Sequence, residues 1–437
     1  MAISLSLTRF GLLGPPGGQP PGDGRDAVLA QLRQPTLIPP GHGMPDLAEG
    51  LRLHRARAME VVAARRERRR PEFVHQQEIS RAEAEFRVSW AIASTLPLHE
   101  RLSLHWGNHF TVAAQQSTSY LSGDMDRAAI RPHMLGRFRD LLRACTTHPA
   151  MLNYLGNDRS IGPNSPLGRR SRRGLNENLA RELLELHTLG VDGGYTQEDV
   201  VETAKLLTGW TIPEPGPNGT DIAFLADRHE PGPRTILGKR YPEGGEEQLL
   251  ALLEDLARHP STARHVTRRL VRHFLGDTAP PEVAPALARV FQATDGDLRA
   301  VMEALVTHPA SLSLPPAKLR PPVELVISVA RMMGGRPARP MLFTTLRALG
   351  QPWMGAPSPA GWPEEDQAWA SPDAVKSRLD WALQIAGQRE ARFDAREVAE
   401  AVFGAGLSAE TRRALQRAAN GGQAVALLAM SPEVQRR

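Results

Sequence analysis

Cysteine is nearly missing from this chain of 437 residues, and Cys145 stands alone. A single cysteine excludes an internal disulfide framework and every zinc site built from paired thiolates. Within Leu141-Leu142-Arg143-Ala144-Cys145 the thiol reads as a small buried hydrophobe rather than a nucleophile. Lysine is almost as scarce: Lys205, Lys239, Lys318 and Lys376 leave arginine to supply the other 49 of 53 cations. The 48 acidic residues are interspersed among them, so the net charge is +5 at a pI of about 9.8. That balance lacks the clustered excess that phosphate neutralisation requires, and nucleic acid is not the expected partner. No uninterrupted apolar run reaches 18 residues, so hydropathy gives no transmembrane helix. Met1 to Pro16 is broken by Arg9, Gly11 and Gly14 and has neither a basic leader nor a small-residue cleavage site, which makes the cytoplasm the default expectation. A nucleophile elbow, a phosphate-binding Gly-rich loop and a dinucleotide fingerprint are also missing. Serine-hydrolase, P-loop and Rossmann readings therefore lack their warrants.

What is present is the composition of a globular protein, 41% hydrophobic and 23% charged, on a chain long enough for a large core. The run GPPGGQPPGDG over 14–24 cannot hold a helix, so residues 1–24 read as a flexible N-terminal tail. Residues 25–437 read as one large helical unit, divisible into 25–245 and 246–437. Apolar residues at three- and four-residue spacing predict helices over 26–33, 44–70, 73–95, 98–113, 127–147, 175–189 and 196–208, with more from Glu246 onward. Strand-like alternation is confined to Thr220–Tyr241, where Ile222, Phe224 and Thr235 to Leu237 suit one short hairpin. The fold class is therefore mainly α: a multi-helix globular array with at most one short β-hairpin and long irregular loops. One such loop is Gln351 to Trp369, rich in Pro, Gly and Trp. Three joints share a pattern, Thr147-His148-Pro149, Arg258-His259-Pro260 and Thr307-His308-Pro309, each with proline opening a helix.

The densest chemical signal is Asn176 to Gly190, NENLARELLELHTLG. At about 100° per residue, Glu177, Asn178, Arg181, Glu182 and Glu185 share one face, while Leu179, Leu183 and Leu186 lie on another. Glu182 and Glu185 could hold a divalent cation or act as acid and base, with Arg181 orienting them. The plainer reading is an ion-pair ladder, since Arg181 lies four residues from both Glu177 and Glu185. His187 points toward the apolar side and reads as a core histidine. His105 and His109 stand four apart, the spacing of helical zinc ligands, but Trp106 occupies the place of the H-E-x-x-H glutamate and the protease reading fails. Folding could still carry His109 to the Glu182/Glu185 face as a third metal ligand. Asp199, three after Thr196, reads as a helix cap. Arg169, Arg170, Arg172 and Arg173, set between glycines, form the best anion-binding loop, against the alternative of a solvated segment. His229, within Asp227-Arg228-His229-Glu230, is a candidate catalytic group on an irregular segment.

These residues carry a resemblance. Trp106-Gly107-Asn108-His109-Phe110-Thr111, Arg131-Pro132-His133, Ser160 to Ser165, Leu175 through Trp210, His229 to Gly238, Lys318 to Glu324 and Ser358 to Pro363 occur in an order similar to the bacterial family catalogued as domain of unknown function 1800. The family pattern has an aromatic where this chain has His105 and a histidine where it has Gly107. The resemblance implies export as a common habit, and a co-encoded partner of the domain of unknown function 1501 family, which resembles sulfatases. Two functions follow: an enzyme, metal-dependent or acid/base, using Glu182, Glu185, Arg181 and His229; or a noncatalytic helical partner of that sulfatase-like protein, docking through the arginine loop.

Overall fold

The computed structural model describes residues 5–14, 24–38, 43–72, 76–114, 116–171, 174–215, 221–334, 342–389 and 394–437. It is mainly α-helical, as the apolar spacing predicts. Two apolar cores organise it. The first gathers Val28 and Leu32, then buried side chains from Leu98 through Ala310. The second gathers side chains from Val323 through Val434, together with Val88, Ala91 and Ile92 of helix Gln76–Ala93. The helices Glu246–Arg258, Pro260–Leu275, Val283–Ala293 and Leu298–Thr307 all bury their apolar faces in the first core.

The N-terminal segment departs from the expected tail. Arg9, Phe10, Leu12 and Leu13 are at most 3% exposed, with Phe10 in the first core and Leu12 and Leu13 in the second. Arg9, Gly11 and Gly14 interrupt the apolar pattern, yet the backbone there finds donors from distant helices. Arg101 donates to the carbonyls of Arg9 and Gly11 at 3.1 and 3.0 Å, and Arg331 to that of Leu13 at 2.9 Å. Buried carbonyls need such partners, and sequence alone does not show where they come from. Residues 1–4 and 15–23 of the expected tail lie outside the described residues.

Between the cores runs helix Pro97–His109, opened by proline at its first turn. Leu98, Leu102 and Trp106 belong to the first core and Leu104 packs on the second, so its polar residues are buried as well. They are paired accordingly. Glu100 meets Arg87 at 2.8 Å and Arg131 at 2.6 Å, and Asp126 meets the same arginines at 2.7 and 2.9 Å.

The signature helix is α-helical over Asn178–Glu182 and widens to a π-helix over Leu183–Thr188, where Leu189 N–H donates to the Leu184 carbonyl at 2.9 Å. Gly190, at φ +86°, ends it in the left-handed region that glycine enters freely. The expected hairpin is instead two separate antiparallel ladders. Asp221–Phe224 pairs upstream with Trp210–Pro215, and Arg234–Ile236 pairs with Lys239–Tyr241. Leu237 and Gly238, at φ +52° and +74°, make the tight turn of the second ladder. The segment from Gln351 is irregular as expected, closing in a short turn at Asp366–Trp369 where Trp362 and Trp369 meet at 5.9 Å.

Candidate functional site

A row of buried histidines crosses the middle of the molecule. Helix Pro97–His109 supplies His105 and His109, helix Pro260–Leu275 supplies His265 and His273, and the π-helix supplies His187. Ring centroids are 4.8 Å apart for His273 and His105, 6.5 Å for His105 and His109, 6.3 Å for His109 and His187, and 5.9 Å for His109 and His265. The end of the π-helix explains part of this arrangement. Carbonyls in a last helical turn lack helical partners. His109 Nε2 lies 3.1 Å from the His187 carbonyl and His265 Nε2 lies 2.9 Å from that of Leu186.

The remaining ring nitrogens are more informative. Both nitrogens of His105 and of His187, and Nδ1 of His109 and His265, are buried with no hydrogen-bond partner among the described residues. Burial holds these imidazoles neutral, with Arg269 as the main neighbouring charge for His105, His109 and His187. His187 is pushed down to about 3 and His265 to about 4, in both cases chiefly by burial. His273 lies well below its ordinary value through burial and then Arg101, whose Nη2 donates to His273 Nε2 at 3.2 Å.

At one end of the row the irregular segment after Gln351 brings in Glu364. His105, His273 and Glu364 each place a ligating atom within 4.8 Å of the other two, the one such set of three found among the described residues. Glu364 lies 3.8 Å from His105 Nδ1 and 3.3 Å from Arg269 Nη2. The segment is clamped to the helix by Asn108, whose amide bonds the backbone N–H and C=O of Trp362. Beside this cluster is a cavity of about 140 Å³, walled by the Pro97–His109 helix, the Pro322–Met332 helix and the Trp353 to Glu364 segment; His273 and Glu364 both reach it.

The residues singled out from sequence fall in several places. His109 joins the histidine row, and its Nε2 faces the His187 carbonyl rather than the Glu182/Glu185 face. His187 is fully buried, as its position opposite the carboxylates implies. Arg181 spans Glu177 at 3.3 Å and Glu185 at 3.5 Å, the ladder geometry, and also meets Gln197 at 2.9 Å. Glu182 is half-buried, its carboxyl raised by burial and then by Glu185. Arg169 and Arg170 are exposed in a short turn; Arg172 and Arg173 lie outside the described residues. His229 is buried, with Nδ1 2.8 Å from the Thr208 carbonyl and Nε2 unpartnered among the described residues. Asp199 forms the reciprocal capping box with Thr196. Cys145 is buried, which raises its thiol well above the ordinary range.

Sequence reasoning missed His265, His273 and Glu364. The signal available for the first two is the four-residue spacing His265, Arg269, His273 within a helix otherwise rich in arginine. Glu364 offered only its place after Trp362-Pro363 in an irregular segment, and nothing local ties it to a histidine far upstream.

Compared with curated proteins and with solved structures, the chain has no match. Residues 18–436, nearly its whole length, match the family described as Protein of unknown function (DUF1800), and the chain belongs to that family.

Proposed function

We propose that this protein is a metal-dependent enzyme whose centre is His105, His273 and Glu364. The observation that carries the reading is His105: a fully buried imidazole, both of its ring nitrogens unpartnered among the described residues, beside a second imidazole and a carboxylate. A buried polar atom left unbonded costs about 1–3 kcal/mol, and coordination removes that cost. Burial also keeps both imidazoles in the neutral form that binds metal. Two histidines and one carboxylate are a ligand set that suits zinc or ferrous iron and leaves a coordination position open. A cation held there would polarise a carbonyl or acidify a bound water. His273 and Glu364 line the adjacent cavity, so a substrate there would meet the open side.

One observation favours acid/base chemistry without a metal at the same residues. Arg101 donates to His273, and Arg269 pairs with Glu364, so guanidinium groups already satisfy two of the three side chains. His105 and Glu364, 3.8 Å apart, would then be the proton-transfer pair.

Elemental analysis of untagged protein, with a cobalt titration followed by its visible spectrum, separates the readings. The metal reading expects about one ion per chain in the wild type and in Glu182→Ala/Glu185→Ala, and loss in His105→Phe and Glu364→Gln. Wild-type protein that takes up no ion, or His105→Phe that keeps it, overturns the metal reading. Loss in the Glu182/Glu185 variant instead would return the centre to the signature helix.

A further inference from the structure

The cavity beside the centre has a size and a polarity that together specify a ligand. Its volume of about 140 Å³ is close to that of an apolar cavity of about 150 Å³ that takes benzene, so it fits one ring. Part of the space comes from Gly107, in the interior of helix Pro97–His109. A Cβ built there would meet nothing closer than Ile130 Cδ1 at 4.0 Å, so close packing does not demand glycine at this position. Glycine weakens a helix interior, and what it supplies here is room on the cavity wall.

The charges on the wall are already matched within the protein. Arg87 is held by Glu100 and Asp126, Glu324 by Arg437 at 2.8 Å, and Lys318 by Asp366 at 3.0 Å. In the metal-free protein a charged ligand would shed its hydration without gaining a counter-ion, which disfavours both acids and amines. The remaining wall is largely apolar and aromatic, including Phe110, Trp353 and Trp362.

We propose that this cavity binds a neutral, single-ring organic molecule, with aryl or alicyclic compounds as the chemical class. As the substrate class of the proposed enzyme this rests on the metal-centre reading, but binding itself does not require the ion. The test is therefore made on protein stripped of metal, with acetophenone as the neutral probe and benzoate and benzylamine as charged ones. Binding is followed by saturation-transfer NMR and tryptophan fluorescence.

Acetophenone should bind roughly tenfold or more tightly than benzoate or benzylamine. Gly107→Leu, which fills the cavity, should abolish binding, and Gly107→Ala should weaken it while leaving the unfolding temperature equal or higher. Charged probes binding as well as acetophenone, or folded Gly107→Leu or Gly107→Ala binding it like wild type, would overturn the proposal. Acetophenone binding retained in metal-free His105→Phe would leave the ligand site standing whatever the metal analysis gives.

Discussion

Asn108 holds Trp362 by both ends of one amide, Nδ2 donating to its carbonyl at 3.0 Å and Oδ1 accepting its N–H at 2.7 Å. The match is of backbone type: one donor and one acceptor answered by one side chain. It fixes the segment carrying Glu364 to the end of the helix carrying His105. Gly361, at φ +85°, makes the approach possible, because a Cβ there would stand 2.5 Å from the Asn108 carbonyl. Asn108→Ala should lose about 2–3 kcal/mol of stability, from two hydrogen bonds in a partly buried setting. Asn108→Asp should also destabilise, by setting a carboxylate against the Trp362 carbonyl. Urea unfolding midpoints check both, and wild-type midpoints in the two variants would deny the clamp its role.

The histidine row predicts the pH dependence of stability. Histidine in an unfolded chain titrates near 6.5. Here burial lowers His265 to about 4 and His187 to about 3, with His105, His109 and His273 also well below. The folded values are depressed, so the unfolded chain binds more protons in the interval. The stability they contribute is complete above pH 6.5 and is lost as pH falls from there through 4 and 3. Each contributes a slope of up to about 1.4 kcal/mol per pH unit. The unfolding temperature of metal-free protein should therefore drop steeply from pH 6.5 to 5, and His187→Gln should make the drop shallower by about one proton's worth. An equally steep drop in that variant would place the protons elsewhere.

Asp126 adds a second, more acidic step. Burial alone would raise its carboxyl, but Arg131 and Arg87 outweigh burial and bring it to about 2. Its stabilisation is present above the unfolded carboxyl range near 4 and is lost as pH falls toward 2. Asp126→Asn should remove that step from the acid-unfolding curve and destabilise the protein at neutral pH, because Arg87 and Arg131 would share only Glu100. Acid titration followed by circular dichroism measures it.

The three His-Pro joints carry a capping role that the sequence did not announce. In each, the imidazole Nδ1 accepts the N–H two residues on: Ala150 at 3.2 Å, Ser261 at 3.1 Å and Ala310 at 3.2 Å. His308→Ala should cost about 1 kcal/mol, and His308→Asn, an ordinary capping residue, should recover most of it. Equal stability of wild type and His308→Ala in thermal unfolding would leave proline alone as the reason for the pattern.

What could be read from sequence was local. Helix positions, the Thr196/Asp199 capping box, the stop at Gly190 and the Arg181 ladder all follow from spacings within a few residues, and each recurs in the fold. What could not be read depended on distant partners. The segment around Arg9 looks like a broken tail until Arg101 and Arg331 are seen to satisfy its carbonyls. Phe224 finds its ladder partner at Trp210, upstream of the stretch that looked strand-like. His105 was legible through its spacing to His109, but His273 and Glu364 join it only because two helices and a loop converge.

The layer between the two cores has a consequence for how the chain is made. Arg320 donates to the carbonyls of Thr8, Val434 and Arg436, and Glu324 holds Arg101 and Arg437, so residues far apart in sequence meet there. During synthesis the first core can gather as soon as its helices leave the ribosome. The charged layer cannot close until Arg436 and Arg437 have been made. Until then Glu324 lacks Arg437 and Arg320 lacks the Arg436 carbonyl, buried charge with reduced compensation, so this layer is set to close after the first core rather than with it.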